Sequence, residues 1–167
     1  MEPRVVITGI GWVTPLGHDI ESVWRRMLAG ESGVGPTTLF DASAFPTSFS
    51  AEVKNFELAD FLGPDAAKHE GASRNSRFAL AACAIAWHDA GLPACKNLDP
   101  TRVGVYLGGG EGPLDFQPFA AAALAGCRNE RGETTPLNTV RWAETGLRLL
   151  NAVSEREQDP NMAGGHI

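Results

Sequence analysis

Gly108-Gly109-Gly110-Glu111-Gly112 flanks a single carboxylate with glycines on both sides. In a parallel α/β sheet, a loop of this kind at the carboxyl end of a strand lies where ligands bind. A turn without a ligand would use the same residues equally well, because glycine relieves backbone crowding wherever a chain bends. A second pair, Gly9-Ile10-Gly11, follows the apolar run Val5-Val6-Ile7 and invites comparison with the dinucleotide fingerprint Gly-x-Gly-x-x-Gly. Thr14 stands where the third glycine belongs, Pro15 follows it, and no acidic residue closes a second strand about 20 residues later. Those departures argue against a nucleotide site.

The nucleophile and metal candidates are few. Cys83 falls near the middle of an expected helix, where its amide is committed and the positive end of the helix dipole is distant, so it reads as a small core residue. Cys95 and Cys127 fall at expected loop or helix-end positions and are assigned no role. His18, His69, His88 and His166 show neither a metalloprotease pairing nor cysteines at zinc spacing, so no metal site is expected.

Several elements must position these residues. Residues 4–10 read as a buried strand, and 102–107 as a second buried strand parallel to it. Asp19 is placed to cap a helix through Ala29, with Ile20, Val23, Trp24, Met27 and Leu28 as its apolar stripe and Gly30 ending it. Ser73 opens a longer helix through Ala90, closed by Gly91-Leu92-Pro93. Between them residues 31–71 are loop-rich, with a short strand expected at 50–53. A helix is expected over 115–125. Helical spacing is clearest over 138–158, where Val140, Ala143, Leu147 and Leu150 line one face.

Composition removes whole classes of function. A net charge of −6 disfavours a nucleic-acid surface, which needs clustered Lys and Arg. No run approaches the ~18 apolar residues of a membrane span, and the start lacks the pattern of a signal peptide, so a cytoplasmic location is expected. Three cysteines without CxxC spacing fit free thiols in a reducing compartment. At 167 residues and 43% hydrophobic, length alone predicts one domain.

Residues 4–17 as a whole resemble the amino terminus of the β-ketoacyl-acyl-carrier-protein synthases, thiolase-like condensing enzymes. Four later segments resemble the family in the same order. They are Phe40-Asp41-Ala42-Ser43-Ala44-Phe45 leading into Ala51-Glu52-Val53-Lys54-Asn55-Phe56, then Arg77-Phe78-Ala79-Leu80-Ala81-Ala82 with Ala90-Gly91-Leu92, then residues 102–112, and last Pro160-Asn161-Met162-Ala163-Gly164-Gly165-His166. The stretch 113–159 departs from the family. The resemblance implies an α/β, thiolase-like fold, here an incomplete amino-terminal half with a mixed sheet flanked by helices.

In that family the nucleophilic cysteine lies in a Thr-Ala-Cys-like turn shortly beyond the segment that 160–167 resembles, and two histidines follow much later. The resemblance therefore implies one β-ketoacyl synthase domain over 1–167, truncated before its nucleophile and holding no catalytic residue. Ala82-Cys83-Ala84 echoes the nucleophile turn only superficially. The counterpart of Gly108, Gly109, Gly110, Glu111 and Gly112 lines the acyl tunnel, with an apolar residue usual where Glu111 stands. Lys68, Arg74 and Arg77 match the region through which the family docks its acidic acyl-carrier protein, and His166 is expected to fix backbone by hydrogen bonding. The implied reaction is decarboxylative condensation of malonyl carrier protein with an acyl thioester, without a cofactor, in a homodimer or heterodimer. A short non-catalytic or chain-length-modifying partner subunit is the alternative, and an independent small-molecule-binding α/β domain a third.

Overall fold

The computed structural model describes residues 4–110, 112 and 114–167. The chain divides into two compact units. One comprises the segment up to Glu70, Arg77–Val105 and Ile167, and the other Gly71–Ser76 and Tyr106–His166.

In the first unit, helix α1 covers Ile20–Leu28, and Asp19 caps it by accepting the Ser22 amide hydrogen at 2.8 Å. The expected apolar stripe is only partly used: Val23 is fully buried, whereas Trp24, Met27 and Leu28 are exposed. Strands β1 (Gly35–Pro36) and β2 (Phe49–Ser50) pair antiparallel, Gly35 opposite Ser50. Glu52, 7% exposed, organises the turn beyond them. Its carboxylate accepts from the Thr38 amide at 2.8 Å, the Thr38 hydroxyl at 2.6 Å, the Leu39 amide and the Ser50 hydroxyl. These bonds, Thr38's foremost, hold its pKa down at about 2.

Helix α2 (Ala59–Leu62) and the 3₁₀ turn Gly63–His69 lead toward the long helix α3, Arg74–Asp89. Leu58, Leu80 and Ala81 form the core of this unit, with Val13, Phe56, Phe61, Leu62 and Ala66 against them. Phe56 stacks on Phe61 and meets Phe78 edge-on, and His18 sits edge-on to both Phe56 and Phe61.

Among the described residues the expected mixed sheet is not formed. Among the described residues the sheet is the β1–β2 pair alone, and residues 4–10 and 102–107 carry no ladder. Both were expected to be buried, yet Val5 is 95% exposed, Ile7 84% and Tyr106 fully. An apolar, β-branched run becomes a buried strand only when neighbouring strands take its amides and carbonyls and a second layer covers its side chains. The described residues supply neither to these two segments. The turn after the first run is nonetheless fixed, because the glycines pack on α3. A Cβ at Gly9 would lie 2.3 Å from the Ala86 carbonyl oxygen, and one at Gly11 only 2.0 Å from that of Ala82. The Gly-x-Gly pair thus serves close contact with a helix, and the Asp89 carboxylate fastens the same turn by accepting the Ile10 amide hydrogen at 2.8 Å.

The second unit holds α4 (Phe116–Cys127), α5 (Thr139–Leu149), α6 (Ala152–Arg156) and α7 (Met162–His166). Helices α4 and α5 pack closely where Gly126 meets Trp142 and Leu137. The helical pattern over 138–158 is interrupted. Leu150 turns extended, and Asn151 restarts the helix by accepting the Val153 and Ser154 amide hydrogens. The face read as apolar is also not the packed one, for Val140 is 65% exposed and Leu147 88%, while Gly146 is buried. The contact between α4 and α5 runs through Gly126 against Trp142, so hydrophobic spacing alone misplaces the face.

Gly11→Ala tests the helix contact. Its methyl group would have to displace the backbone of α3, at a cost of about 2 kcal/mol or more. For a chain of this size the thermal midpoint should fall by roughly 4–8 °C. An unchanged midpoint in calorimetry would show that the turn does not bear on α3.

Candidate functional site

The second unit brings the glycine loop against a segment distant from it in sequence. The Gly112 amide donates to the Gln158 carbonyl at 3.0 Å. A Cβ at Gly112 would lie 2.2 Å from the Glu157 carbonyl oxygen and 2.6 Å from the Gln158 Cα, so a side chain is sterically forbidden there. Gly109 faces the Pro160 carbonyl at ordinary contact distance, and Gly108 and Gly110 border open space. Glu111, the acid singled out in the sequence, lies outside the described residues.

Beside this contact sits a polar cluster that sequence reasoning missed. Glu157 is 4% exposed. One carboxylate oxygen accepts the Ser73 amide hydrogen at 2.8 Å and the Ser76 hydroxyl at 3.0 Å, and the other meets His166 Nε2 at 2.9 Å. Ser73 caps α3 by accepting the Ser76 amide hydrogen, and its hydroxyl donates to that of Ser76. The donors form a chain running from Ser73 through Ser76 to the carboxylate. Burial pushes the Glu157 pKa up, but hydrogen bonds from Ser73, His166 and Ser76, together with the histidine's charge, carry it down to about 2. Its stabilising effect is therefore complete above the ordinary glutamate range and lost as pH falls toward 2. A cavity of about 240 Å³ adjoins the cluster, lined by Ala72, Ser73, Leu114, Asp115, Ser154 and Glu157. The cluster spans more than 80 residues of sequence, so local spacing carried no signal for it. His166, expected to fix backbone, meets a carboxylate.

The order of these groups limits their chemistry. The carboxylate lies between serine and imidazole, whereas activation of a hydroxyl nucleophile needs the imidazole between the other two. The arrangement holds chain segments together and offers no activated nucleophile. Cys83 lies within α3, half-buried, and burial pushes its thiol pKa up, opposite to what a thiolate nucleophile needs. Among the described residues no group of three or more His, Cys, Asp or Glu is arranged to hold a metal ion, and no helix is long and apolar enough to cross a membrane.

The basic residues named from the sequence are partly engaged. Lys68 is exposed and pairs with Asp65 at 2.6 Å. Arg74 is exposed on the first turn of α3, and Arg77 donates to the Glu70 carbonyl. In the first unit, a wide cleft of about 1120 Å³ is bordered by Ile10, His18, Asp60, Phe61, His88 and Asp89. None of the sequence motifs pointed to it.

Comparison with known proteins defines the class. The family model of the β-ketoacyl synthase amino-terminal domain matches residues 2–147, and the chain belongs to that family. It is similar to 3-oxoacyl-[acyl-carrier-protein] synthase 2 of Coxiella burnetii, 45% identical over 113 residues, covering 68% of this chain and 27% of the relative. The Vibrio harveyi protein of the same name is 35% identical over 163 residues, 96% of this chain and 37% of its own. Among solved structures, the ishigamide ketosynthase/chain length factor superposes with a TM-score of 0.61 at 23% identity, over 96% of this chain and 35% of that one. The fold class is thus the thiolase-like α/β one, and the chain spans 27–37% of the length of these proteins.

The cysteine assignment can be checked by alkylation. With iodoacetamide near pH 8, exposed Cys95 should be modified first and Cys83 at least ~10-fold more slowly, because a buried thiol ionises and is reached less readily. Peptide mass spectrometry gives the order, and rapid modification of Cys83 would restore it as a nucleophile candidate.

Proposed function

We propose that this chain forms the amino-terminal part of a 3-oxoacyl-acyl-carrier-protein synthase, with 1–167 acting as one synthase domain. The reaction would be decarboxylative condensation of malonyl carrier protein with an acyl thioester, in fatty acid or polyketide synthesis. The family match over residues 2–147 carries this reading. In it no residue of the chain is the nucleophile, in keeping with the raised thiol pKa of Cys83. The glycine loop would line the acyl tunnel. Lys68, Arg74 and Arg77 would meet the acidic carrier protein through charge. Dimerisation and a cytoplasmic location belong to the same proposal. A non-catalytic or chain-length-modifying partner subunit is the second reading.

The purified chain, incubated with acyl and malonyl carrier proteins, should give no ketoacyl product. Turnover that disappears on Cys83→Ala would overturn this. In the full-length protein, which should condense, a partner subunit would instead stay silent until a second subunit is added.

Glu111 tests the tunnel, and the basic residues test docking, in the same full-length protein. Glu111→Ile would remove a charge whose burial opposes alkyl binding and add apolar contact. At ~0.8 kcal/mol for each buried methylene, selectivity for longer saturated primers should rise by an order of magnitude or more. An unchanged length profile would leave the loop a turn. Reversing the charges of Lys68, Arg74 and Arg77 should raise KM for carrier protein while sparing kcat, and an unchanged KM would remove them from docking.

A further inference from the structure

We propose that Glu157 is a positioning residue, a carboxylate clamp that fixes the 160–166 segment and the glycine loop to the Gly71–Ser76 turn. Three separated stretches meet on this one residue. Its side chain holds Ser73 and Ser76 on one oxygen and His166 on the other. Its backbone, with that of Gln158, packs on Gly112 so closely that only glycine fits, and the Gln158 carbonyl accepts the Gly112 amide hydrogen. A shift of Glu157 would therefore move the glycine loop and α7 together.

The hydrogen-bond polarity dictates a carboxylate. Ser73 and Ser76 both donate to one oxygen, so the other must accept from His166. The imidazole can donate from Nε2 as the neutral Nε2–H tautomer or as the cation, so the clamp closes with His166 in either state. An amide has one accepting oxygen, and its nitrogen would face the imidazole as a donor. Few charged or titratable groups face the clamp. His166 of α7 is the charge acting on Glu157. Asp115, ahead of α4, lines the same cavity, and Ser73 and Ser76 at the start of α3 are neutral.

The experiment is hydrogen exchange on the full chain, read as protection factors for Ser73, Ser76, Gly112 and residues 161–166. Wild type should hold equal protection at pH 5 and pH 8. Glu157→Ala should lose roughly 10- to 100-fold of it at both, as expected for hydrogen bonds to a charged group. Glu157→Gln, alike in shape but with one accepting oxygen, should lose part of it, less than Glu157→Ala does. A merely space-filling residue would keep full protection in Glu157→Gln. Should Glu157→Ala not fold, Ser76→Ala removes one donor and should lower protection of 161–166 more mildly. Protection unchanged in Glu157→Ala, or in Ser76→Ala where that stands in, overturns the clamp, as does a Glu157→Gln variant as protected as wild type.

The functional arm rests on the condensing-enzyme reading. In the complete synthase, Glu157→Gln should lower kcat by at least ~10-fold through misplacement of the segments it holds, with KM for carrier protein spared. Absence of condensation by the wild-type protein would count against the functional reading and leave the exchange result to judge the clamp. Exchange that opens in Glu157→Gln with kcat unchanged would overturn the positioning role.

Discussion

The turn at Gly9 and Gly11 can approach helix α3 only because neither residue has a side chain, and the first unit is arranged around that contact. Cβ atoms there would overlap the carbonyls of Ala82 and Ala86. The helix answers with its own small residues, presenting alanine where a larger residue would hold the turn away. Beside that seam, Leu80 and Ala81 of the same helix enter the core with Leu58. Close packing of this kind has little tolerance, since interiors fill to crystal-like density and yield by shifting backbone.

Where the β-ladder is sparse, carboxylates take over its work. Glu52 gathers the backbone and hydroxyl donors of Thr38, Leu39 and Ser50 next to the short β1–β2 pair, and Glu157 does the same for Ser73, Ser76 and His166. Each is nearly buried and each has its pKa held at about 2. A loop cannot leave its amides unpaired out of water, and an anion with several lone pairs satisfies more donors than any single carbonyl. Both acids are therefore structural in the same sense, one in each unit.

What the sequence disclosed follows from the range of each interaction. Asp19, Gly30, Ser73 and Gly91 act within a turn or two of their own position, so the ends of α1 and α3 were legible from residue type. Gly30 and Gly91 indeed adopt positive φ, 70° and 68°. The ordered motifs made the family legible as well, and the match over 2–147 agrees with them. Strands at 4–10 and 102–107 were misread because a strand depends on partners that local hydrophobicity does not record. Asn151 broke the helix expected across 138–158 by capping a new one, a capping signal overshadowed by the apolar spacing. Glu157 escaped notice because its partners Ser73 and Ser76 are 84 and 81 positions away.

Val5, Ile7 and Tyr106 stand almost wholly in solvent on segments that carry no ladder. Such segments present open donors and acceptors beside apolar side chains, the combination that templates pairing with another strand. A second strand that paired with them in the folded form would add its binding free energy to folding through the logarithm of its concentration. The melting point would then depend on the solution as well as on the chain.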